Sequence, residues 1–234
     1  MPRSVLVTGG SRGIGAAIAT AFLQQGDQVA VAHRGPEVPD GAYAIKCDIS
    51  DPRQVSAAFQ QAREMHGPVE VLVNNAGIAD NALLMKMRDE QFFGVLETNL
   101  GGSFYAARCA YPDMVKMGRG RIVFVSSVAA LRGFEGMGNY AASKSALIGL
   151  ARSLAREIGF RNVTVNIVAP GLITTRLAEQ LPKRQREQMI AGTPLRRSGT
   201  VEEVASAVTW LASEGAGFVT GAVIPVDGGL GMGH

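Results

Sequence analysis

The chain has 234 residues, of which 47% are apolar and 18% charged, with a formal net charge of +3. Such a composition excludes intrinsic disorder and supports a sizeable core, and the length suits a single large α/β domain over 1–234. Basic residues are scattered rather than massed in a tail, which points away from nucleic acid, and no apolar run approaches the ~20 residues of a membrane span.

No charged-then-apolar leader precedes the first predicted strand, and the two cysteines, Cys47 and Cys109, lack metal-ligand spacing. The expectation is a cytoplasmic chain with two buried thiols and no metal. Short apolar runs predict strands at 4–7, 28–32, 43–47, 69–74, 121–126, 163–168 and 223–226. Between the early strands, helical periodicity at 14–25 ends on Gly26, and at 52–65 opens on Asp51-Pro52. A long, Pro-free, Ala-rich segment at 140–158 predicts a central helix. Residues 172–199 are interrupted by Pro182 and Pro194 and rich in Lys, Arg and Gln, which suits a mobile lid over a pocket. Continuous apolar strands alternating with helices predict a doubly wound, parallel, seven-stranded sheet of Rossmann type with helices on both faces.

The segment Thr8-Gly9-Gly10-Ser11-Arg12-Gly13-Ile14-Gly15 lies between the first strand and first helix, where glycines let backbone N–H groups approach a pyrophosphate at a positive helix end. Its spacing is GxxxGxG rather than GxGxxG. About twenty residues on, where an acid would accept from the adenosine ribose of NAD, stands His33-Arg34. Arg34 with Arg12 can clamp a 2′-phosphate, which favours NADPH, although surface arginine is common on any fold. Cys47-Asp48-Ile49 and Asn74-Asn75-Ala76-Gly77 follow the third and fourth strands, at carboxyl ends where ligands bind. Asp48 suits either an acceptor for the adenine amino group or a helix cap.

Tyr140 and Lys144 are four apart on the long helix and share a face, and Ser127 follows the fifth strand. Hydride addition to a ketone builds negative charge on oxygen that must be hydrogen-bonded and protonated, which a phenol and a hydroxyl can do. A neighbouring ammonium favours the phenolate left behind.

The set resembles the short-chain dehydrogenase/reductase family: TGxxxGxG at 8–15, NNAG at 74–77, Asn99, Ser127, YxxxK at 140–144 and Pro170-Gly171 occur in family order over nearly the whole chain. The resemblance implies that Tyr140 donates the proton, Ser127 positions the carbonyl, Lys144 binds the nicotinamide ribose and assists Tyr140, and Asn99 holds a relay water. Gly9, Ser11, Arg12, Gly13, Ile14, Arg34, Asp48, Ile49, Asn75, Ala76 and Gly77 would line the dinucleotide site, with Pro170, Gly171 and the backbone of Ile173 at its nicotinamide end. Stretches such as NYAASKSALIGLARSLARE look most like the actinobacterial 3-oxoacyl-[acyl-carrier-protein] reductases. That likeness implies a homotetramer in fatty-acid synthesis whose acidic carrier docks on Arg119, Arg121 or Arg161. Thr174, Arg176 and Met137 depart from the subfamily pattern and bear on the choice of ketone, so polyketide or acetoacetyl-CoA substrates stay open. A cofactor-sensing protein without activity is the reading from another class, and the intact Ser127, Tyr140 and Lys144 argue against it.

Overall fold

The computed structural model describes residues 2–35, 37–175, 178, 181 and 183–232; Arg176 and Pro182 lie outside them. Seven strands, β1 (Ser4–Thr8), β2 (Gln28–His33), β3 (Tyr43–Lys46), β4 (Val71–Asn74), β5 (Gly120–Val125), β6 (Val163–Pro170) and β7 (Val223–Val226), form one sheet. Their order is β3-β2-β1-β4-β5-β6-β7 and every pairing is parallel. The doubly wound architecture expected from the alternation is therefore the one observed. Strand order reverses between β1 and β4, which leaves a crevice at their carboxyl ends.

Helices close both faces: α1 (Gly13–Gln24), α2 (Pro52–His66), α3 (Asp89–Leu96), α4 (Gly102–Met117), α5 (Ala129–Arg132), α6 (Gly138–Ile158), α7 (Lys183–Gly192) and α8 (Val201–Leu211). Because successive side chains of a strand point to opposite faces, β1 sends Leu6 to one layer and Val5 and Val7 to the other. Leu6 packs with Phe124, Met114 and Leu147, beneath α4 and α6. Val5 and Val7 pack with Ile18, Phe22, Val208 and Leu211, beneath α1 and α8. All of these side chains are buried, so the central strands are apolar on both faces, as their sequences require.

Local signals fix the helix ends. Asp51 caps α2 by accepting from Arg53 N–H at 2.9 Å, with Pro52 in the first turn. Thr200 and Glu203 form a reciprocal capping box on α8. Strand ends differ from the sequence reading by one or two residues, two at β4, which starts at Val71 rather than 69, and two at β6, which runs on to Pro170. Of the two thiols, Cys47 is buried and Cys109 only half-buried. No helix among the described residues is long and apolar enough to cross a membrane.

Candidate active site

The crevice between β1 and β4 is built by glycines and one hydroxyl. Gly9 has φ +68°, and a Cβ there would lie 2.8 Å from the Ala76 Cα, so only glycine lets the two loops meet. Thr8 Oγ accepts from the N–H groups of both Asn75 and Ala76 at 3.1 Å. The Asn75 amide then donates to the carbonyls of Thr8 and Gly9, each at 3.1 Å. Asn75 thus binds the glycine loop, and its side-chain donors are spent on protein rather than left for a ligand. α1 begins immediately after this loop with no side-chain cap and no acid in its first turn. Its first N–H groups are unsatisfied donors at the positive end of a helix, beside exposed Gly13 and half-buried Ile14, and they fit a pyrophosphate.

At the end of β2, exposed Arg34 reaches Asp48 at 3.3 Å. Asp48 uses its other oxygen to accept from the N–H and hydroxyl of Ser50, at 3.0 and 2.7 Å, and these bonds hold its carboxyl below the usual range. The cap of α2 is Asp51, not Asp48, which makes a local turn with Ser50. Arg12 is exposed, and half-buried Ser11 lies close enough to Gly35 that a Cβ there would sit 2.9 Å from the serine Oγ. Ile49 is buried beneath this end, packed on Gly102.

At the other end of the crevice stand the groups suited to chemistry. Lys144 is buried on α6, its Nζ donating to the Val125 carbonyl at 2.8 Å and lying 5.9 Å from the centre of the Tyr140 ring. Burial lowers its pKa to about 8. The Tyr140 phenol is pushed up by desolvation and pulled back by its hydrogen bond with Ser127. Ser127 is fixed in turn, its oxygen accepting from Ala129 N–H at 3.1 Å. Gly77 passes so close that a Cβ would be 3.0 Å from Asn99 Oδ1 and 3.2 Å from Lys144 Nζ.

Asn99 lies in a π-helical segment, Glu97–Gly101, that joins α3 to α4. Its amide is fully engaged: Oδ1 accepts from Ile78 N–H at 2.8 Å, and Nδ2 donates to the Ile78 carbonyl and Ser143 Oγ, both at 3.0 Å. Ser103 Oγ donates to the Asn99 backbone carbonyl at 2.7 Å. Both side-chain donors of Asn99 are therefore spent on protein. The sheet's far lip is made by Pro170 and Gly171, where a Cβ on Gly171 would be 2.7 Å from the Asp227 Cα. Ile173 pairs with Gly199 as an isolated parallel bridge, and Thr174 adds a hydroxyl bond to Ser198 at 3.1 Å.

The chain is similar over nearly its whole length to known proteins. Residues 9–231 match a family model described as enoyl-(acyl carrier protein) reductase. The chain is 49% identical to the 3-oxoacyl-[acyl-carrier-protein] reductase MabA of Mycobacterium tuberculosis, over 99% of this chain and 94% of that one. It is 48% identical to MabA of Mycobacterium avium, over 99% and 91% of the two chains. With the 3-oxoacyl-[acyl-carrier-protein] reductase FabG of Escherichia coli it shares 40% identity, over 97% and 96%. The chain belongs to the short-chain dehydrogenase/reductase family. As an oxidoreductase of that family, it presents the dinucleotide loop and the Ser127, Tyr140 and Lys144 cluster on one edge of the sheet.

Three arginines expected to receive a carrier lie elsewhere. Arg119 and Arg121 flank the amino end of β5 and Arg161 precedes β6, so they sit at the opposite sheet edge from Ser127, about 17 Å away along a six-residue strand. The expectation for Arg121 is corrected outright. Its guanidinium is buried, donating to the carbonyls of Gly120 and Asn162 at 2.8 and 3.1 Å, with Glu214 at 3.5 Å. It holds strand ends together and presents no charge to a partner. Arg119 pairs with Glu70 at 2.8 Å, and Arg161 donates to the Val115 carbonyl at 2.8 Å.

Sequence reasoning missed the residues that hold the cluster in place. Ser126 donates to the Lys144 carbonyl at 2.9 Å, and Asn139 donates to the carbonyls of Asp80 and Gln91 while accepting from Tyr140 N–H. Both are buried polar side chains directly beside a predicted site residue in sequence, a signal that was available.

Proposed function

We propose that this protein uses NADPH to reduce a 3-oxoacyl thioester carried on acyl carrier protein to the (R)-3-hydroxyacyl thioester in fatty-acid biosynthesis. The observation that carries it is a half-buried Tyr140 and Ser127 with a buried Lys144, beside a glycine loop, in a chain 49% identical to a reductase of that name. NADPH, when bound, supplies the hydride. Desolvation keeps the Tyr140 phenol protonated, so it can give its proton to the oxygen of the 3-oxo group as that oxygen gains charge. Ser127 hydrogen-bonds the same oxygen, and the Lys144 ammonium stabilises the phenolate left behind. These donors suit a carbonyl, in which charge gathers on oxygen, better than the carbon–carbon double bond named by the family description.

The open donors of α1 and exposed Gly13 support a pyrophosphate there, and Arg12 and Arg34 support a 2′-phosphate at the adenosine end. The carboxylate that would favour NAD is missing at the end of β2, where His33 and Arg34 stand. Residues 172–199 would close over the bound substrate, and the working form would be a cytoplasmic homotetramer. The test is reduction of acetoacetyl-carrier-protein, acetoacetyl-CoA and a cyclic ketone with NADPH or NADH. The expected result is thioester reduction preferring NADPH, abolished about 10²–10⁴-fold by Tyr140→Phe with dinucleotide binding retained. No turnover of either thioester would overturn the proposal, and equal use of NADH would overturn its cofactor.

A further inference from the structure

α6 carries a buried serine between its two candidate catalytic side chains. Ser143 lies three residues after Tyr140 and immediately before Lys144, and neither it nor Asn99 has any exposed surface. Its Oγ donates to the Tyr140 carbonyl at 2.8 Å, a bond back to the preceding turn of the same helix. With its one hydrogen committed there, the hydroxyl has only lone pairs left to offer. They accept from Asn99 Nδ2 at 3.0 Å, across 44 positions of sequence.

The Asn99 amide is thereby held from both ends. The Ile78 N–H, an obligate donor, requires oxygen opposite it and takes Oδ1 at 2.8 Å. The Ile78 carbonyl and Ser143 Oγ, both acceptors here, require Nδ2. A flipped amide would set donor against donor at the Ile78 N–H and acceptor against acceptor at the other two, with Asn99 wholly buried. Oδ1 therefore stays beside Gly77, where a Cβ would be 3.0 Å from Oδ1 and 3.2 Å from Lys144 Nζ. The negative end of the amide dipole and the ammonium border one small space. Among the described residues Lys144 has no carboxylate within ion-pair distance, so neutral oxygens are the groups that favour its charge.

We propose that Ser143 is a positioning residue for the reduction: its hydroxyl orients the Asn99 amide so that oxygen, and not NH2, borders the ammonium that stabilises the Tyr140 phenolate. Unlike Ser127, it meets no reacting atom and acts only through Asn99. The proposal rests on the carbonyl-reduction reading above and adds the group that keeps its cation correctly faced. Ser143→Ala leaves one buried N–H of Asn99 without an acceptor, a loss that the amide relieves by turning away from α6.

The test is a kinetic cycle of Ser143→Ala, Asn99→Ala and the double variant, with whichever thioester or cyclic ketone the unaltered protein reduces fastest. Ser143→Ala should lower kcat about tenfold, the size of one buried hydrogen bond, and leave the KM for ketone and dinucleotide within about twofold. In the Asn99→Ala background the same substitution should change kcat by less than about twofold. A tenfold loss that persists without the Asn99 side chain would overturn the assignment and place the effect in α6 itself. A lower Tm with unchanged kcat would make Ser143 purely structural and overturn it as well. NMR of the protein isotope-labelled at asparagine, without cofactor, gives a readout that needs no turnover. Ser143→Ala should shift the side-chain NH2 signals of Asn99, and unmoved signals would mean that the hydroxyl does not hold the amide. Shifted signals in a protein that reduces no carbonyl would overturn the reaction and keep the orientation.

Discussion

Lys144→Met should make the folded protein more stable while removing its activity. The ammonium is buried and its pKa falls from 10.5 to about 8, so charging it in the fold costs about 3 kcal/mol at ~1.36 kcal/mol per unit. Methionine fills similar space without charge, and the lost bond to the Val125 carbonyl costs about 1 kcal/mol. The net gain is about 2 kcal/mol below pH 8, or roughly 4–8 °C in Tm for a chain of this size. The pH dependence follows from the lowered pKa. Between pH 8 and 10.5 the folded protein binds fewer protons at Lys144 than the unfolded chain, so its stability relative to the variant rises with pH across that window. Thermal unfolding of both proteins at pH 7 and pH 10.5, at matched concentration, checks the sign. A variant less stable at pH 7, or an advantage that does not shrink at pH 10.5, would refute the claim that burial burdens this lysine.

Gly9→Ala places a side chain at φ +68° and 2.8 Å from the Ala76 Cα, and should cost about 2 kcal/mol or more; denaturant unfolding and dinucleotide titration should both register it. Arg34→Gln should raise the KM for NADPH about tenfold and leave that for NADH nearly unchanged, because the exposed pair with Asp48 contributes little to the fold and steady-state kinetics would isolate the phosphate contact.

The sheet was legible because its strands are apolar on both faces, and the β1 to α1 turn because glycines mark it. Less legible were features decided by partners distant in sequence. Asn75 has the residue type of a ligand contact, yet Thr8 and Gly9, 67 and 66 positions earlier, take its donors. Arg121 reads as surface charge, but β5 is a central strand and its first turns are covered. α4 carries Pro112 inside it, which masks a 16-residue helix whose buried face is mainly small residues, Gly102, Ser103, Ala106, Ala107 and Ala110. The π-helical turn at Asn99 shows in sequence only as the Gly101-Gly102 pair, and its Asn99 is held by bonds to Ile78 and Ser143, far away along the chain.

The loop after β4 joins two tasks in three residues. Asn75 and Ala76 clasp Thr8 and Gly9, and Gly77 runs against Asn99 and Lys144. A displacement of the glycine turn is thereby passed across a single rigid strap to the proton-donating end. Substitutions made to alter dinucleotide affinity at Gly9 or Thr8 should therefore register in kcat as well as in KM, and a redesign of cofactor preference is safer at Arg34, which the strap does not touch.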